Sequence, residues 1–114
     1  MGIIGNVATG LIGGLHSYIL VLEMFLWTGP RGRKTFRLTK EFAEQTKGMA
    51  ANQGLYNGFL SAGLFWSFSF QLQTFFLGCV VTAGAFGGMT ANPRIFYVQM
   101  APAAVSLGLV LLGL

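Results

Sequence analysis

The sequence predicts an all-α polytopic membrane protein: one domain of four transmembrane helices over residues 1–114, with both termini on the non-cytoplasmic side. Three observations carry that prediction. The chain is 54% hydrophobic and only 9% charged, far below the roughly one-quarter charged content of soluble domains. Its apolar residues fall into four segments, about 2–27, 49–70, 72–90 and 94–114. Six of its seven basic residues, Arg31, Arg33, Lys34, Arg37, Lys40 and Lys47, lie in one stretch between the first two segments.

The first segment exceeds the apolar core of a signal peptide and lacks a basic start and a small-residue cleavage site, so it reads as a retained span. About 20 helical residues at ~1.5 Å rise cover the roughly 30 Å hydrocarbon core. Thr28-Gly29-Pro30-Arg31-Gly32 then ends the helix, because Gly and Pro continue it poorly. Residues 28–48 form a basic cytoplasmic loop. Within it, Thr39 is a candidate N-cap for a short helical run over Lys40–Lys47, with Glu41 in the first turn and Leu38 with Ala43 as a staple.

The basic residues of 31–47 are placed to meet anionic headgroups of the bilayer, with Phe36, Leu38 and Phe42 dipping into the interface. The second connection, near Ser69 to Gln73, holds no basic residue, and the third holds only Arg94. By the positive-inside rule the first and third loops are cytoplasmic, which puts both termini outside and predicts an integral protein of the bacterial inner (plasma) membrane. The net charge of +4 is therefore a topology signal, and no nucleic-acid partner is expected. Gly10, Gly13, Gly14, the Gly54/Gly58 pair, Gly84, Gly87 and Gly88 lie inside the spans and permit close helix packing, within one bundle or between copies. Cys79 has no partner for a disulfide or a zinc site.

Function is concentrated on two residues in the first apolar run, which is otherwise uncharged. Glu23 lies near its Trp27 edge and His16 lies deeper. A carboxylate inside a membrane costs a few kcal/mol unless paired, hydrated or protonated, which makes it a functional-site hypothesis by default. Asn6, Thr9, His16 and Glu23, with Gly13 and Trp27, recur at steps of three and four along one helical stripe. His16 and Glu23 sit ~10.5 Å apart along the axis, room for water or a ligand between them.

The second helix supplies Asn52, Gln53, Tyr56 and Asn57, and the fourth supplies Tyr97 and Gln99, all on the cytoplasmic half. These six are the expected ligand contacts of a polar pocket around Glu23. The competing reading of the amides is interhelical glue. Arg94 is the candidate ion-pair partner of Glu23: paired, Glu23 is structural; unpaired, it carries protons. No cofactor or metal is required. His16 as a haem ligand is the option that a lone histidine supports least.

The stretch from His16-Ser17-Tyr18 through Leu22-Glu23-Met24-Phe25-Leu26-Trp27, then Pro30-Arg31-Gly32, and the later Ala51-Asn52-Gln53-Gly54-Leu55-Tyr56-Asn57-Gly58-Phe59-Leu60, resembles a family of small membrane proteins of bacteria and fungi catalogued as a domain of unknown function. The resemblance spans essentially the whole chain. It implies a four-helix integral membrane protein and no particular activity.

Three functions fit these residues. One is a protein that binds a small apolar or amphipathic molecule around Glu23 and acts as a proton-linked carrier or exporter. Its layout is also that of small multidrug resistance exporters, whose residue pattern is absent, and it calls for a homo-oligomer because four helices enclose little space. Another is a membrane-embedded enzyme of isomerase or hydrolase type, with Glu23 or His16 as catalytic acid/base and Asn52, Tyr56 or Asn57 orienting the substrate. A structural or accessory subunit is the third.

Overall fold

The computed structural model describes residues 2–67 and 69–114. Its regular structure is α1 Ile3–Met24, α2 Pro30–Phe36, α3 Lys40–Phe65, α4 Phe70–Thr90, a π-helical segment Phe96–Met100, and α5 Ala101–Leu111. Among the described residues there is no strand, so the all-α class stands. Two helices, α1 and α4, are long and apolar enough to cross a membrane, and the run Phe96–Leu111 is apolar but shorter.

The third predicted helix ends at Thr90 and the last begins at Arg94, as expected, while several other ends depart from the predicted 2–27, 49–70, 72–90 and 94–114 for local reasons. The first helix ends at Met24. The N–H groups of Phe25 and Leu26 both bond to the Val21 carbonyl, at 3.0 and 3.2 Å, which turns the chain before Trp27. The Trp27 indole N–H donates to Thr46 Oγ1 at 3.0 Å, and its ring packs on Phe36 with centroids 4.9 Å apart. Phe36, expected at the lipid interface, is thus engaged by the protein itself.

The helical run expected over Lys40–Lys47 is present within α3, and the rest of segment 28–48 gains a further helix, α2, that was not expected. Pro30 opens α2 at the position where its missing N–H costs nothing, and Arg37 closes it in the left-handed conformation, φ 57°. After two extended residues, α3 starts at Lys40 and continues without a break into the apolar run expected to begin at residue 49. Gly48 is the weak point of that junction. One glycine costs a helix interior about 1 kcal/mol, too little to end it. Thr39 is the N-cap that the sequence suggested, its Oγ1 accepting from the Phe42 N–H at 3.2 Å.

The helix expected to reach residue 70 stops at Phe65, and α4 starts at Phe70, two residues earlier than the predicted 72. Ser69 caps α4 by accepting from the Leu72 N–H at 3.2 Å. The predicted 94–114 helix starts at Arg94 and passes into a π segment at Phe96–Met100, because Pro102 has no N–H to offer the Val98 carbonyl and its ring crowds that carbonyl. The ladder widens just ahead of it, and the Ala101 N–H reaches back to the Phe96 carbonyl.

The chain divides into two compact units, Gly14–Ser61 and Met1–Gly13 with Ala62–Leu114. In the first, Ile19 and Leu22 of α1 and Ala43 and Ala50 of α3 are buried. Gly54 is required there: a Cβ would lie 2.5 Å from Met24 Cγ and 3.1 Å from Glu23 Cβ. In the second, Leu64, Leu77, Val80, Ala103 and Val110 are buried. Gly84 brings α4 against the backbone of Met100, whose N and Cα would stand 2.7 and 2.8 Å from an added Cβ. Gly10 and Gly14, by contrast, would have nothing within 4 Å of an added Cβ, so no close contact within the chain rests on them.

Candidate functional site

The buried stripe of α1 contains Thr9, Ile12, His16, Ile19 and Glu23, spaced by three and four as a core-facing helix requires, with Leu22 beside it. Thr9, His16 and Glu23 follow one another at seven-residue intervals, two turns of helix. His16 is 1% exposed and Glu23 8% exposed, so the two residues singled out in the sequence are both withdrawn from the surface.

Glu23 is held by α3. Asn57 Nδ2 donates to Glu23 Oε1 at 2.6 Å and also to the Gln53 carbonyl at 3.2 Å. Because a backbone carbonyl only accepts, the second bond fixes which end of the Asn57 amide faces Glu23. Gly54, one turn before Asn57, makes the approach possible by leaving Glu23 Cβ and Met24 uncovered by any side chain of its own. Nearby in the same unit, the Ser17 and Ser61 hydroxyls bond to each other. The Tyr18 phenol oxygen accepts from Arg31 at 3.1 Å.

Of the six expected ligand contacts, Asn57 is the one bonded to Glu23. Asn52 and Gln53 have exposed side chains, and Gln53 enters through its backbone carbonyl alone. Tyr56 is 63% exposed, its ring edge-on to Phe59. Tyr97, also exposed, and the half-buried Gln99 lie in the π-helical segment of the other unit. Arg94 belongs to that unit too, exposed, with its backbone N–H bonded to Asn92 Oδ1 at 2.9 Å. Glu23 is thus a buried carboxyl whose partner is a neutral amide. Such a group can change its charge without breaking an ion pair, and that is the chemistry a proton-exchanging site needs.

Sequence reasoning missed a second polar centre, in the unit of residues 1–13 and 62–114. Gln73, expected at the connection near Ser69 to Gln73, is 2% exposed on the first turn of α4. Its Nε2 donates to Asn6 Oδ1 at 2.7 Å and to the Ser67 carbonyl at 3.3 Å. The signal was legible in spacing. Gln73, Leu77, Val80, Gly84 and Gly88, the buried residues of α4, step by three and four and place Gln73 on the inner face. Among the described residues no group of three or more His, Cys, Asp or Glu side chains could hold a metal ion.

No solved structure matches the chain. An uncharacterized protein, YpaA, of Lactococcus lactis subsp. lactis (strain IL1403) is 27% identical over 89 residues, covering 72% of this chain and 75% of that protein. The model of a family described as "Protein of unknown function (DUF1304)" matches residues 10–111. That match takes in both Glu23 and Asn57 and nearly the whole sequence, and the chain belongs to this family.

Proposed function

We propose that this is a small integral membrane protein that binds a small apolar or amphipathic molecule beside Glu23 and exchanges it for a proton, as a carrier or exporter. The observation that carries the reading is the Glu23 carboxyl itself, 8% exposed and hydrogen-bonded at 2.6 Å by the neutral amide of Asn57. A carboxyl kept only for packing would be replaced without loss by an amide. One kept for exchange would not. His16, buried two turns away on the same stripe, is the candidate relay.

The membrane reading extends the two long apolar helices to four spans, α1, α3, α4 and Phe96–Leu111, with both termini on the non-cytoplasmic side of a bacterial inner membrane. It is supported by large apolar side chains that stand exposed, among them Ile3, Leu11, Phe59, Phe75, Phe86 and Met89, a surface that suits lipid. The basic residues of 31–47 mark the cytoplasmic face and meet anionic headgroups. Four short helices enclose little space, so the carrier works as a homo-oligomer.

The test uses proteoliposomes with a pH-sensitive dye inside and tetraphenylphosphonium, a lipophilic cation, added outside. Entry of the cation through the wild-type protein should drive protons out and raise the internal pH, and Glu23→Gln should abolish that change while the protein stays folded. Equal proton movement by the two proteins would refute the reading.

A further inference from the structure

A cavity of about 250 Å³ lies in the unit of residues 1–13 and 62–114, lined by Asn6, Thr9, Leu64, Phe65, Ser67 and Gln73, with Gly10 completing the wall. We propose that it binds a small neutral molecule with an amide-type head (a primary amide, lactam or urea) and a compact apolar body, a site independent of Glu23. The polar groups are sorted for that purpose. The Ser67 carbonyl can only accept, so the Gln73 atom 3.3 Å from it is Nε2, and the Asn6 atom 2.7 Å from the same nitrogen must be Oδ1. This bond leaves Gln73 Oε1 as an acceptor and Asn6 Nδ2 as a donor, a pair that an amide head can answer on both sides.

The two hydroxyls add acceptors and no donors. Thr9 Oγ1 donates to the Gly5 carbonyl at 2.8 Å and Ser67 Oγ to the Leu64 carbonyl at 2.6 Å, so their protons are committed and their lone pairs remain. A wall richer in acceptors than donors selects a molecule that brings N–H groups. None of the lining residues is charged, so an ammonium group there would find no counter-ion, which favours a neutral one. Leu64, 2% exposed, and Phe65 supply the apolar side. An enclosed cavity of about 150 Å³ holds benzene; this one is open on one side, and its volume of about 250 Å³ is enough for a ring and its head.

The experiment is a fluorine NMR titration of the full chain in detergent with 4-fluorobenzamide, and in parallel with its N,N-dimethyl analogue, which keeps the acceptor and the ring but has no N–H. Saturable binding of the amide, with the dimethyl compound at least tenfold weaker, is expected. Asn6→Ala, at an exposed residue, should weaken the amide about tenfold, the worth of one hydrogen bond. Gly10→Leu should abolish binding: Gly10 lines the cavity and a Cβ there meets nothing within 4 Å, so a leucine has room to occupy the space that the ligand would take, while the substitution favours the helix. Glu23→Gln should leave the titration unchanged, which separates this site from the carrier reading. Equal binding of the two compounds, full binding to Gly10→Leu, or no saturable binding to the wild type would each overturn the proposal.

Discussion

The Asn57–Glu23 bond can be weighed by a double-mutant cycle, with Glu23→Gln and Asn57→Leu as the arms. Glu23→Gln keeps a carbonyl oxygen where Oε1 now accepts from Asn57 Nδ2 at 2.6 Å, so the amide pair re-forms and the cost should stay below about 1 kcal/mol. Asn57→Leu keeps the size of the side chain and removes the donor, leaving a buried oxygen unsatisfied at about 1–3 kcal/mol. The Asn57 bond to the Gln53 carbonyl at 3.2 Å is lost on both sides of the cycle and cancels.

At a pH where Glu23 is ionised, a carboxylate acceptor makes the wild-type bond worth about 1.5–3 kcal/mol, against about 1 for the amide pair. The two changes should therefore be non-additive, with a coupling of about 0.5–2 kcal/mol. Unfolding by SDS in mixed micelles, followed by circular dichroism, supplies the four free energies. A coupling below about 0.3 kcal/mol, the level at which distant sites are additive, would mean that α3 does not hold Glu23 through Asn57, and the site would lose its geometry.

The glycines separate by the same assay. Gly84→Ala places a carbon 2.7–2.8 Å from three atoms of Met100, two of them backbone, and should destabilise by about 1–2 kcal/mol after the helix-propensity gain is deducted. Gly14→Ala, with nothing within 4 Å, should instead stabilise by up to about 1 kcal/mol, and a destabilising result would show a neighbour at that face. Thr39→Ala removes the acceptor for the Phe42 N–H and should cost about 1 kcal/mol. Faster hydrogen exchange confined to the first turn of α3 is the expected signature, and unchanged exchange there would show that Thr39 does not cap the helix.

Much of the fold was legible because its determinants are local. Apolar runs of about 20 residues flanked by Gly, Pro and polar stretches read as helices by length alone. Thr39 caps because a hydroxyl three residues before an N–H is within reach whatever surrounds it. The single break at Gly48 misled, since one weak residue does not outweigh the helix on both sides, and the Pro102 effect fell upstream because a proline disturbs the turn before it. His16 and Glu23 stood out as rare groups in an apolar run, and their burial follows from the same stripe that carries Ile12, Ile19 and Leu22.

Which polar groups meet was beyond the sequence. Asn52, Gln53, Tyr56 and Asn57 look alike in composition, and only Asn57 reaches Glu23, because helix rotation and the gap left by Gly54 decide which side chain faces inward. Gln73 and Asn6 are 67 residues apart and bond at 2.7 Å, a pairing that no spacing rule can supply. Propensity and periodicity are properties of neighbours along the chain. A hydrogen bond between helices depends on the distance and angle at which two of them pack, and those are set by every side chain in the contact.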